Sequence, residues 1–125
     1  TKIWVPKEYN FVPLLQAFKK YDEVQYHSKY KNNFDYQLAL YIINQQYYMS
    51  NESILLVENK ENFSPISVLH YSYYEDKQMV QQLLENTEEI QCIVGHGYVP
   101  FGESQRPLLT DFADGINTIH FLNTL

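Results

Sequence analysis

The chain has 125 residues, enough for one domain, and its 45% apolar and 19% charged residues strike a globular balance rather than a disordered one. Nine Lys and Arg against fifteen Asp and Glu leave a formal charge of −6, which argues against nucleic-acid binding because that leans on cationic contacts to phosphate. A single cysteine excludes an internal disulfide framework and any multi-cysteine zinc site, and no apolar run reaches the roughly 18 residues of a membrane span.

Lys2-Ile3-Trp4-Val5 reads as a short strand that Pro6 ends. From Asn10 to Tyr21 a helix is expected, with Phe11, Leu14, Leu15 and Phe18 at i, i+3, i+4 and i+7 on one apolar face and Asn10 as N-cap. Gln25 to Phe34 is polar and aromatic and reads as a loop. Asp35 to Gln46 reads as a helix that is apolar nearly all round and therefore buried on most sides, with a buried strand as the rival. Met49 to Glu52 is an expected turn, Ser53 to Val57 a strand, and Glu58 to Ser64 a charged loop. Pro65 to Tyr73 alternates as a strand, with Ile66, Val68, His70 and Ser72 on one face. Glu75 and Asp76 open a helix with Met79, Val80, Leu83 and Leu84 on one side. Ile90 to Val94 is a further strand, stopped by Gly95-His96-Gly97. Pro100-Phe101-Gly102, Arg106-Pro107 and Asp114-Gly115 signal turns, and Ile116 to Leu122 is a last strand or short helix. Strands interleave with about three helices, so the fold class is α/β, expected as one domain over 1–125.

Few residues carry a chemical signal of their own. Cys92 is the one thiol, but it sits inside the apolar Ile90–Val94 strand and is expected to be buried and inert. His27, His70, His96 and His120 show no i, i+4 pairing and no HExxH pattern, so no metal is expected. Gly95-His96-Gly97 fits no phosphate-binding glycine pattern and reads as a turn. Ser64, Ser67 and Ser104 lack a nucleophile-elbow context, and Asp111 with Asp114 reads as a solvated turn pair. Residue types and spacing alone give an α/β domain without a self-contained active site. No signal-peptide pattern opens the chain, which makes a cytoplasmic location the expectation; it does not begin with Met, so a processed or excised piece is expected.

Three stretches, taken in order, resemble the aldehyde dehydrogenase superfamily. Thr1-Lys2-Ile3-Trp4-Val5-Pro6 resembles the strand that directly follows the catalytic cysteine. Glu61-Asn62-Phe63-Ser64-Pro65-Ile66 resembles the Glu-x-Phe-Gly-Pro-Val segment, with Ser64 in place of Gly. Pro100-Phe101-Gly102 is similar to the Pro-Phe-Gly-Gly segment, with Glu103 replacing the second Gly. The runs His27 to Tyr36, Ser64 to Leu69, Phe101 to Pro107 and Asp111 to Thr118 resemble the long-chain acyl-CoA reductase branch (LuxC-type), first associated with bacterial bioluminescence.

This resemblance implies an aldehyde-dehydrogenase-like catalytic-domain segment from an NADPH-dependent reductase. Such enzymes convert long-chain acyl-CoA to fatty aldehyde through a cysteine acyl-enzyme. The nucleophile would lie just before Thr1 and a dinucleotide-binding domain further upstream, so no catalytic residue is expected in this chain and the isolated chain is expected to be inactive. By match, Glu61 would hold the nicotinamide ribose and Phe63 would abut the nicotinamide; the bland alternative is a solvated loop charge and a core anchor. A partner protein that hands over the acyl group is a further implication. The competing expectation, from the residues alone, is a non-catalytic interaction module carried by Tyr26, Tyr30, Tyr36, Tyr41, Tyr47 and Tyr48, since Tyr is enriched at binding surfaces.

Overall fold

The computed structural model describes residues 1–85, 89–112 and 116–124. The chain divides into two compact units, Thr1–Lys77 and Gln78–Leu125. In chain order the elements are β1 (Lys2–Pro6), α1 (Val12–Phe18), 3₁₀ turns over Lys19–Tyr26, α2 (Ser28–Ile43), β2 (Met49–Ser50), β3 (Leu55–Glu58), β4 (Val68–Tyr74), α3 (Lys77–Glu85) and α4 (Thr118–Asn123). The class is mixed α/β, with four α-helices among the described residues where about three were expected.

The first unit is built on a four-stranded sheet of order β1-β4-β3-β2. β1 and β3 both run parallel to β4, and β2 pairs antiparallel with β3. Side chains alternate across the strands, so each face acquires its own apolar cluster. Leu56, Leu69, Tyr71 and Val5 meet Phe11, Leu14, Leu15 and Phe18 of the α1 region. Leu55, Val57 and Val68 meet Phe34, Leu38 and Tyr41 of α2. The sheet is therefore sandwiched between α1 and α2, and the ring centroids of Phe11 and Tyr71 approach to 4.6 Å.

Helix α1 follows the predicted apolar face but spans Val12–Phe18 rather than Asn10–Tyr21, giving way to 3₁₀ turns at Lys19, and its N-cap is Phe11 rather than Asn10. Asn10 Oδ1 accepts the Val12 N–H at 3.0 Å, and Pro13 sits in the first turn, where its missing N–H has no helical partner to lose. The expected loop over Gln25–Phe34 is instead helical from Ser28. Tyr30, Phe34, Leu38 and Tyr41 extend one face toward the sheet, and the Tyr30 hydroxyl donates to the Ser53 carbonyl at 2.7 Å. The Lys31–Asp35 ion pair, 2.8 Å at i, i+4, adds a few tenths of a kcal/mol on the solvent side. The expected burial of α2 on most sides is not found: Ile42 is exposed and Ile43 is 74% exposed. This helix closes in a Schellman motif. Gln46 N–H donates to Tyr41 O at 2.9 Å, Gln45 N–H donates to Ile42 O at 3.1 Å, and Gln45 occupies φ +54°.

Strand limits differ from expectation where side chains or turns capture backbone groups. β3 begins at Leu55 rather than Ser53, because Asn51 Oδ1 accepts the N–H of Ser53 and of Ile54, each at 3.1 Å. Met49–Ser50, an expected turn, pairs as β2. β4 begins at Val68 rather than Pro65. A turn closes there through Val68 N–H to Pro65 O at 3.1 Å, with Ser67 at φ +68° and Ile66 exposed.

In the second unit no described residue is buried. On α3, Met79 and Leu83 are exposed while Val80 and Leu84 are half-buried. The expected strand Ile90–Val94 is absent; only a Val94–Val99 bridge forms. Its tight loop is closed by Gly95 N–H to Val99 O at 3.0 Å, and Gly97 supplies φ +88°. Cys92 is consequently exposed rather than buried, since no strand among the described residues covers it. Turns follow at Pro100–Glu103 and Glu103–Arg106. Ile116–Leu122 resolves to the short helix α4, capped by Asn117 Oδ1 accepting His120 N–H at 2.9 Å. The expected Asp114–Gly115 turn lies outside the described residues.

Candidate functional site

Residues 59–67 carry the chain from the end of β3 back to the start of the parallel strand β4 without a helix. A parallel connection ordinarily uses a longer crossover. Here the strap is fastened to the sheet by side chains that alternation places on one face. Ser72 Oγ donates to the Asn59 carbonyl at 2.9 Å. Lys2 Nζ donates to the Lys60 carbonyl at 2.8 Å. His70 Nδ1 lies 3.0 Å from the Glu61 carbonyl, so its Nδ1 carries the proton that makes this bond. Lys2 and His70 stand opposite each other in the β1–β4 register, and Ser72 is two residues further along β4. Three successive carbonyls are thus held by three side chains of adjacent strands.

The strap is also folded on itself. Asn59 Oδ1 accepts the Glu61 N–H at 2.9 Å. Ser64 Oγ donates to the Val68 carbonyl at 2.6 Å and accepts from the Thr1 nitrogen at 3.0 Å, a use of the hydroxyl that a glycine would not offer. His70 is 3% exposed, so its ring is part of the interior on which the strap rests. Burial lowers the pKa of Lys2, an effect that the nearby Glu61 carboxylate opposes. The Lys2 ammonium lies 4.3 Å from the Trp4 ring centroid, which gives it a second, cation–π, attraction.

Glu61 and Phe63 themselves present their side chains to solvent. Glu61 is exposed and Phe63 is 57% exposed. Phe63 is therefore not a core anchor. An outward carboxylate and an outward ring, two residues apart on a pinned backbone, can accept hydrogen bonds from a vicinal diol and stack beside a flat heterocycle. Alternation alone places His70 and Ser72 on one face; Lys2 joins them only through the parallel β1–β4 pairing, which no local pattern announces.

The remaining candidates stay dispersed. Among the described residues no group of His, Cys, Asp and Glu could hold a metal ion. Asp111 caps its own turn, accepting the Leu108 N–H at 2.8 Å, and Asp114 lies outside the described residues. The His96 and Phe101 rings meet edge-on at 6.2 Å. Of the six tyrosines, Tyr41 is buried and Tyr30 and Tyr48 are half-buried, whereas Tyr26, Tyr36 and Tyr47 are exposed. An open groove of about 270 Å³ between α1 and the β2–β3 turn is lined by Val12, Leu15, Gln16, Lys19 and Ser50–Glu52 and shares no residue with the strap. Among the described residues no helix is long and apolar enough to cross a membrane. Compared with known proteins, the chain matches no family model, no curated protein and no solved structure.

Proposed function

We propose that the chain is the C-terminal segment of an NADPH-dependent long-chain acyl-CoA reductase with an aldehyde-dehydrogenase-like fold, and that Glu61 and Phe63 contact the nicotinamide half of the cofactor. The observation that carries this reading is the contrast within the strap: its backbone is fixed by Ser72, Lys2 and His70, yet the side chains of Glu61 and Phe63 face outward. A loop that served only to connect two strands would gain stability by burying Phe63, at roughly 1.5–3 kcal/mol for a full side chain.

The cofactor would supply the hydride. The Glu61 carboxylate would accept from both ribose hydroxyls, and the Phe63 ring would limit the travel of the nicotinamide. The attacking thiolate and the dinucleotide-binding domain would come from sequence upstream of Thr1, which is also where the acyl-CoA thioester would be opened. The test begins with the reading frame. Extended upstream, it should run through a cysteine and a nucleotide-binding α/β region, and the extended protein should release fatty aldehyde from long-chain acyl-CoA and NADPH. The 125-residue chain alone should release none. A start codon directly before Thr1, or aldehyde formation by the short chain, overturns the reading.

A specific observation favours a second reading, the non-catalytic interaction module. Tyr26 is 91% exposed, and Tyr36 and Tyr47 are also exposed, as are Ile42 and Ile43. Tyrosine at such positions gives large contact area at low entropic cost. Loss of a partner on changing Tyr26, Tyr36 and Tyr47 to Ser, in a protein without reductase activity, would select it.

A further inference from the structure

We infer that His70 is the positioning residue of the strap: its Nδ1–H bond to the Glu61 carbonyl sets the direction in which Glu61 and Phe63 leave the backbone. That these two side chains receive a nicotinamide rests on the function proposed above; the positioning role does not.

Three features point to this role. The bond fixes the carbonyl of the residue whose side chain is presented, with no intervening group. His70 sits on an inner strand, flanked in register by Val57 on β3 and Lys2 on β1, so its ring cannot follow a moving loop. The neighbouring tethers, Ser72 to Asn59 and Lys2 to Lys60, lie on the N-terminal side of Glu61, and the Ser64 tether lies beyond Phe63. Among the described contacts, the His70 bond is the side-chain tether on the carbonyl of Glu61, and therefore the nearest brake on rotation between Glu61 and Phe63. Lys2 serves as a secondary tether; its long side chain and partly exposed head make it the more forgiving of the two.

The test compares His70→Asn, His70→Gln and His70→Leu with the unchanged 125-residue chain. Asn carries an amide donor close to the place of Nδ1, Gln carries it one bond further, and Leu carries none. Backbone amide exchange read by NMR should show the Glu61 amide, which donates to Asn59, losing protection by roughly tenfold in the Leu and Gln variants and regaining it in Asn. The ladder amides of β3 and β4 should keep theirs, which separates loss of positioning from loss of fold. If His70→Leu does not fold, the Asn–Gln pair decides. Unchanged Glu61 protection in Gln, or equal loss in Asn and Gln, overturns the inference. Titration of the upstream-extended protein and its His70 variants with NADPH, followed at the Glu61 amide and the Phe63 ring, then tests the nicotinamide reading. Shifts present in the extended protein with His70 and with Asn, and weakened with Gln, support both. An exchange pattern as expected with no NADPH shift keeps the role of His70 and removes the nicotinamide.

Discussion

Asn51 joins α1 to the β2–β3 turn: its Nδ2 donates to the Leu15 carbonyl at 3.1 Å while its Oδ1 accepts from the N–H of Ser53 and of Ile54 and from the Ser53 hydroxyl. One buried amide thus satisfies a carbonyl in a helix too short to satisfy all its own and closes a turn in the same act. Asn51→Ala should lower stability by about 2–4 kcal/mol, because several hydrogen bonds are lost and their buried partners stay unpaired. A drop in the urea midpoint at unchanged slope is the expected result.

Alkali should unfold the first unit through Tyr71. Burial, with the neighbouring Tyr73 and Glu58, pushes this phenol up to about 12 from 10.0. A raised acid pKa means that the unfolded chain loses the proton first. The stabilisation is therefore complete below pH 10 and is lost as pH rises from 10 to about 12. The loss should amount to about 2 kcal/mol, and Tyr71→Phe should flatten the profile in that range. Burial raises Tyr30 and Tyr41 in the same direction. Urea midpoints measured across alkaline pH, together with phenolate absorbance, provide the check.

Gln45 holds the left-handed position that ends α2, at φ +54°. Glycine has no Cβ to strain there, so Gln45→Gly should raise stability by about 0.5–1 kcal/mol despite its greater freedom when unfolded. Thermal unfolding of the two proteins gives the comparison; a fall in Tm would show that the Gln45 side chain contributes more than its backbone strain costs.

Glu61→Ala and Phe63→Ala should leave stability within about 0.5 kcal/mol, since both side chains face solvent. In the proposed parent reductase they should slow aldehyde release by roughly tenfold to a hundredfold, as loss of about 1.5–3 kcal/mol of charge-assisted bonding or of ring contact would do. Acylation of the upstream cysteine needs no hydride and should proceed as before. Measuring acyl-enzyme formation and aldehyde release separately distinguishes the two steps; a release rate equal to wild type returns Glu61 to a solvated loop charge.

Cys92 should react with a thiol reagent as fast as a cysteine in an unfolded peptide, because it is exposed. Cys92→Ser should change stability by less than about 0.5 kcal/mol. Slow labelling in the native chain, accelerated by urea, would contradict its exposure.

What the sequence made legible is what local periodicity encodes. Phe11, Leu14, Leu15 and Phe18 repeat at helical spacing and all four pack on the sheet. Val68 and His70 alternate as a strand should, and both are buried. The start of α2 was hidden because Lys29, Lys31, Asn32 and Asn33 mask a face on which a tyrosine, Tyr30, stands where an aliphatic residue would have signalled helix. Ile42 and Ile43 misled in the opposite direction, since an apolar run does not say which of its sides meets a partner. Ile90–Val94 has the composition of a strand, but a strand also needs neighbours, and composition does not supply them. At the strap, Glu61 and Phe63 were picked out by resemblance alone, and both are exposed. Lys2 and Ser72 could not be read as its fasteners, because their partners are backbone carbonyls brought near by long-range pairing.

That pairing has a consequence for synthesis. Strand β1 contributes Ile3, Trp4 and Val5 to the sheet, but its sheet neighbour is β4, with Lys2 opposite His70 and Pro6 opposite Tyr74. During translation the chain must grow past residue 74 before β1 has a neighbour to bond. At ~5–20 residues per second that is a delay of roughly 3–15 seconds in which an apolar strand is left without its edge. Helices α1 and α2 close locally and can form meanwhile. The ribosome-bound chain should therefore hold two helices and a β1 still without β4, a window in which a chaperone or another nascent chain could capture Ile3–Val5, and one that the arrival of His70 and Tyr71 brings to an end.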